Sequence, residues 1–150
     1  MRRSTRILVQ TFAVGAGTLW GTLAIPAPSS FETVVLIGDT VPGTSGAVFS
    51  SFSAFTELND KGDTAFRAGF SLVGAVAGIF KESGDSLGLV VRAGDTVPGT
   101  SGAAFMHSGF GDPALNGEGD VAFRGDFIGP GVTESNDSGI FKESGGDLGL

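Results

Sequence analysis

The chain contains no cysteine and no tyrosine, one histidine and one tryptophan. Without cysteine there are no disulfides, no thiolate metal sites, no cysteine nucleophile and no lipid-modified cysteine anchor. Charge is scarce too: only 17% of residues carry one. That is too few for a long solvated helix or an ordinary disordered tail. Positive charge is the rarest of all, nine Lys and Arg against sixteen acidic residues. Three of the nine are Arg2, Arg3 and Arg6, ahead of the first acidic residue, Glu32, so from Ile7 onward six basic residues face sixteen acidic ones. Nucleic acid as a partner is excluded by that balance, since neutralising phosphate needs clustered Lys and Arg. An anionic lipid surface is disfavoured for the same reason.

What the sequence has in quantity is glycine, 26 residues, and phenylalanine, 13, within a 41% apolar composition. Glycine costs a helix about 1 kcal/mol relative to alanine, so the mixture suits short strands joined by tight turns. The length of 150 residues leaves room for one domain at most once a targeting segment is removed.

Such a segment opens the chain. MRRSTRILVQTFAVGAGTLWGTLAIPAPSS has a basic head, then 25 residues, Ile7 to Phe31, without a charge. Basic head, apolar stretch and small residues form the layout of a secretory signal peptide. Cleavage is expected after Ser29, making 1–29 the signal and 30–37 a lead-in. The alternative is an uncleaved anchor, since about 20 apolar residues can span a bilayer; Gly15, Gly17, Gly21 and Pro26 weaken that helix. Either way the remainder is expected to be exported, and membrane contact is confined to this segment.

Two copies of one unit follow. GDTVPGTSGA stands at Gly38–Ala47 and again 56 residues on, at Gly94–Ala103. LNDKGDTAFR (Leu58–Arg67) returns 57 residues on as LNGEGDVAFR, and GIFKESG (Gly78–Gly84) returns 61 residues on. The growing offsets predict a one-residue and a four-residue insertion in the second copy, the longer one in a loop, GPGVTESND (Gly129–Asp137). Units are therefore expected over 38–93 and 94–150, the second incomplete in its last strand.

Each unit divides into short strands. Phe66, Ala68 and Phe70 alternate with Ala65, Arg67 and Gly69, a period of two. Gly78–Ser83 and Leu87–Arg92 predict two further strands, and Phe49–Leu58 a fourth, weaker one. Pro42 and Pro98 preset one turn angle, and Gly43 and Gly99 allow a positive φ after it. The fold class expected is all-β, with tandem antiparallel units of about 57 residues resembling β-propeller blades; a β-solenoid is the alternative. Two units do not close a propeller of four to eight blades. The chain is thus expected to be part of a longer array, or to pair with further repeat units or copies of itself.

Asn59-x-x-Gly62-x-x-Ala65-Phe66 and Asn116-x-x-Gly119-x-x-Ala122-Phe123, each followed by a Gly-Ile-Phe strand, resemble the signature of the bacterial choice-of-anchor tandem repeat proteins, named for NxxGxxAF. The resemblance covers roughly Val35 to Leu150. It implies an exported, surface-associated array in which these eight residues are structural, and it carries over no catalytic residues.

Candidates for chemistry are few. His107 has no counterpart in the first copy, and nothing in spacing selects a serine and an aspartate to join it, so no enzyme is expected. The acidic residues Glu57, Asp60, Asp63, Asp120 and Asp126 fall mostly in predicted turns, where aspartate satisfies backbone donors. No cofactor is expected. Calcium is the one metal that the oxygen-rich turns Asn59–Asp63 and Asn136–Gly139 could attract, through Asp60, Asp63 and Asp137; neither follows the EF-hand order, and Lys61 opposes a cation. Phe66, Phe70, Phe80, Phe123, Phe127 and Phe141 recur in both copies and read as core between stacked units. The function expected is a structural or binding role at the cell surface. The rival is a glycan- or ligand-binding propeller, with polysaccharide as partner, whose site lies on loops such as Val132–Asn136.

Overall fold

Period-two alternation and glycine turns build nine strands in the computed structural model, which describes residues 31–72 and 74–149. The N-terminal segment with its signal reading lies outside the described residues. The first sheet joins β1 (Val48–Leu58), β2 (Thr64–Leu72), β3 (Gly74–Ser83) and β4 (Ser86–Arg92) in chain order, all antiparallel. The second joins β5 (Ala104–Phe110), β7 (Val121–Ile128), β8 (Ser138–Ser144) and β9 (Asp147–Gly149), with the two-residue β6 (Ala114–Leu115) also on β7. No helix occurs among the described residues, and neither sheet closes on itself. The protein is all-β.

Five phenylalanines form the core of each sheet. In the first, Phe80 meets Phe49 edge-on at 4.9 Å between ring centres, Phe70 edge-on at 5.9 Å, and Phe66 stacked at 5.7 Å. Phe52 closes the group against Phe49 at 5.6 Å and Phe66 at 5.9 Å. In the second, Phe141 meets Phe105 at 4.8 Å, Phe127 at 6.1 Å and Phe123, again stacked, at 5.7 Å. Phe110 takes the place of Phe52, 5.4 Å from Phe105 and 5.9 Å from Phe123. Burying a Phe side chain stabilises by about 1.5–3 kcal/mol, and edge-to-face pairs add about 0.5–1.5 kcal/mol each. These clusters dominate the packing.

The twice-written GDTVPGTSGA does more than turn the chain. Val41 and Ala47, and likewise Val97 and Ala103, are fully buried. Val41 N donates to Ala47 O (2.9 Å) and Val97 N to Ala103 O (2.8 Å), while Thr44 and Thr100 hydroxyls each reach back 2.7 Å to the carbonyl of Val41 or Val97. The expected positive φ appears at Gly43 (71°) and Gly99 (72°). Each phrase is a hairpin-like plug whose valine and alanine join the hydrophobic core.

β3 departs furthest from its expected bounds. β3 starts at Gly74, because the β2–β3 hairpin pairs as far as Leu72 with Gly74. β1, expected to be weak, is the longest strand, and its register slips where Phe52 faces Ala68 but Thr56 faces Phe66. The single-residue insertion resolves into two changes. Phe49 and Phe52 are three apart where Phe105 and Phe110 are five apart, and Phe110 is then one residue nearer Asn116 than Phe52 is to Asn59. That slip becomes a break in the second copy, where Pro113, with no N–H to donate, precedes β6. The four-residue insertion falls between β7 and β8, in the loop 129–137.

Candidate functional site

The polar residues of interest gather along the seam between the two sheets. Antiparallel register places Ala65, Arg67, Ile79 and Lys81 on one face of the first sheet and Val121, Phe123, Phe141 and Glu143 on one face of the second. These faces meet. Lys81 Nζ donates to Glu143 Oε2 at 2.7 Å and to Gly119 O at 3.1 Å. Glu143 is 4% exposed, and a carboxylate that buried stays charged only with a partner. Its other oxygen accepts from Gly146 N at 2.6 Å.

The NxxGxxAF residues are placed by one turn geometry. Asn59 Oδ1 accepts from Lys61 N (3.0 Å) and Asp63 N (2.9 Å), and Asn59 Nδ2 donates to Asp63 Oδ2 (2.8 Å). Asn116 makes the same bonds to Glu118 N (2.9 Å), Asp120 N (2.8 Å) and Asp120 Oδ2 (3.0 Å). Asparagine suits this post because its one amide both accepts and donates. Gly62 and Gly119 sit at φ 90° and 93°, where a side chain is strained. Phe66 and Phe123 belong to the Phe clusters, while Ala65 and Ala122 face the opposite side of their sheets. Asn59 has one bond more than its counterpart, from Nδ2 to Asn116 O across the seam (3.0 Å).

Asp63, Asp120 and Asp126 are drawn into separate local networks, while Glu57 is exposed on β1. Asp63 Oδ1 accepts from Ser83 Oγ (2.6 Å), and its carboxyl is held below the usual range by Ser83 first, then by Asn59. Asp120 is the parallel case, with Lys142 Nζ at 2.7 Å and Ser144 Oγ at 2.6 Å. Lys142, then Ser144, then Asn116 hold it at about 2. Asp126 pairs with Arg124 at 2.6 Å. Of the three calcium candidates, Asp63 is engaged as above, Asp60 is exposed on the same turn, and Asp137 stands in the loop before β8, where its carbonyl accepts from Phe127 N. Among the described residues no three His, Cys, Asp or Glu gather as a metal would require.

His107 lies on β5, within the two-residue extension that separates Phe105 from Phe110. It lines a cleft of about 220 Å³ between the sheets with Ser51, Ser53, Arg67 and Ser108. Ser53 Oγ donates to Asp112 Oδ1 at 2.5 Å. Arg67 Nε lies 3.4 Å from the same oxygen and has no hydrogen-bond partner among the described residues. Neither Arg67 nor Asp112 stands out in the sequence; the charge among the apolar residues of Ala65–Phe70 is the one signal for Arg67.

A family described as a family of unknown function, DUF7453, matches residues 11–150. The chain belongs to this family. No curated protein and no solved structure matches it. The DUF7453 match spans both sheets and the seam between them.

Proposed function

We propose that this chain is an exported tandem-repeat scaffold, built of blade-like units stacked face to face, with a structural or binding role at the cell surface and no catalytic activity. One observation carries the reading: the same Asn-Gly-Asp turn, Phe cluster and GDTVPGTSGA plug appear in both sheets with matching distances. Asp63 and Asp120 serve to hold turns, and Lys81 and Glu143 to bridge the seam. Such stacking is how repeat folds bury a core that one unit cannot bury alone, and it fits the NxxGxxAF resemblance. A propeller-like closure with further units suits these open sheets better than a solenoid, because each sheet is a four-strand meander or nearly so. Expression in a bacterial host, fractionation and N-terminal sequencing test the export half. The reading expects a mature chain starting at Ser30 outside the cytoplasm; an unprocessed chain confined to the cytoplasm overturns it.

A second reading, ligand binding at the seam, is favoured by the cleft that holds His107 beside an Arg67 Nε with no hydrogen-bond acceptor among the described residues. Binding of acidic polysaccharide that is lost in Arg67→Ala supports it, and no binding across a glycan panel leaves the scaffold reading alone.

A further inference from the structure

The rear face of the second sheet carries the residue types that the first sheet uses to join the second. Ile79 is fully buried in the seam, whereas Ile140, at the matching register beside Arg124, is 69% exposed. Lys81 crosses the seam to Glu143, whereas its counterpart Lys142 folds back on Asp120 of its own sheet. The front face of the first sheet is the complement only at its Phe52 edge, since Phe49, Phe66, Phe70 and Phe80 are already buried. Phe52 is 37% exposed where Phe110 is 4% exposed. Beside Phe52, an apolar cleft of about 180 Å³ opens between Val34, Val35, Thr56, Thr64 and Phe66. Glu82, the counterpart of Glu143, already accepts from Asp85 N through Oε1 as Glu143 does from Gly146 N. Its Oε2 has only a long 3.4 Å contact from Thr64.

We propose that the rear face of one copy of this chain docks on the front face of a second copy, repeating the internal seam. Lys142 leaves Asp120 for Glu82 of the second copy, and Ile140 settles against Phe52. Three observations select a second copy as the occupant. The charges are complementary, cation behind and carboxylate in front. The exposed apolar residues, Ile140 and Phe52, sit where their counterparts are buried. The pairing continues a contact that the molecule already makes once. Because the two faces differ, the contact is heterologous, and repetition leads to a ring or an open filament rather than a two-fold dimer. The inference rests on reading the two sheets as like units.

Sedimentation velocity and light scattering on the exported, processed chain test it, with a circular dichroism melt to establish folding. The expected result is a folded chain whose mass grows with concentration, and for which Lys142→Glu, Glu82→Lys or Ile140→Glu each weakens association about tenfold or more. Mixing the Lys142→Glu and Glu82→Lys chains restores assembly, since each offers the face the other needs. A folded chain that stays monomeric, or assembly indifferent to Glu82→Lys, overturns the docking while leaving the stacked-unit reading intact. A chain without a cooperative melt overturns both.

Discussion

Asn59, which opens the β1–β2 turn, donates through Nδ2 to the carbonyl of Asn116, its counterpart in the other sheet, at 3.0 Å. The two asparagines hold equivalent turns, and one of them also ties the turns together. Asn59→Ala removes the two bonds accepted by Oδ1, the bond to Asp63 and the bond across the seam. At about 0.5–1.5 kcal/mol net per bond, with partial compensation by water, the loss is expected to be about 2–3 kcal/mol. Asn116→Ala, more exposed and without the cross-seam bond, is expected to cost about 1–2 kcal/mol. Urea unfolding of both variants checks the order.

Glycine positions separate by backbone angle. Gly62, at φ 90°, is expected to lose about 1–2 kcal/mol on replacement by alanine. Gly117, in the equivalent stretch of the second turn, has no positive φ, and an added Cβ meets nothing within 4 Å. Gly117→Ala is therefore expected to change stability by no more than about 0.5 kcal/mol. Thermal melts of the pair decide it.

The Phe clusters give the largest effects. Phe80, fully buried and in contact with three rings, is expected to cost about 3–5 kcal/mol on truncation to alanine. Phe55, on the same sheet but 66% exposed, is expected to cost under about 0.5 kcal/mol on the same change. Equal losses at the two positions would contradict the assignment of the core.

These differences show which parts of the fold were legible. β2 was readable because Phe66, Ala68 and Phe70 point one way along a strand with no proline. β1 was hard to read because its register slips between Phe52 and Thr56, so no single period runs through its sequence. The GDTVPGTSGA phrase carried turn residues strong enough to hide its buried Val41 and Ala47. The seam was the least legible part. Lys81 sits beside Glu82 in the sequence yet binds a glutamate 62 residues away, and no local pattern announces a long-range partner. Arg67, Asp112 and His107 converge for the same reason, brought together by sheet stacking rather than by spacing.

Acid sensitivity follows from Asp120. Its folded pKa, about 2, lies below the ordinary 3.8, chiefly because of the Lys142 hydrogen bond. A depressed acid stabilises the fold above its unfolded pKa, and that contribution fades as pH falls from about 4 towards 2. Lys142 is raised by the same pairing, so its share is present below 10.5 and is lost as pH climbs past its folded value. Melting temperatures of wild type and Asp120→Asn are expected to differ at pH 6 and to converge near pH 2. A gap that stays constant down to that pH contradicts the pairing.

The two sheets stack face to face through Lys81 and Glu143. A double-mutant cycle with Lys81→Met and Glu143→Leu measures this contact most directly. Each single change strands one charge of a largely buried pair and is expected to cost about 2–4 kcal/mol. The double variant is expected to be more stable than the sum of the two losses predicts, by about 1 kcal/mol or more. Losses that simply add would mean that the two side chains do not meet, and the stacked arrangement would be wrong.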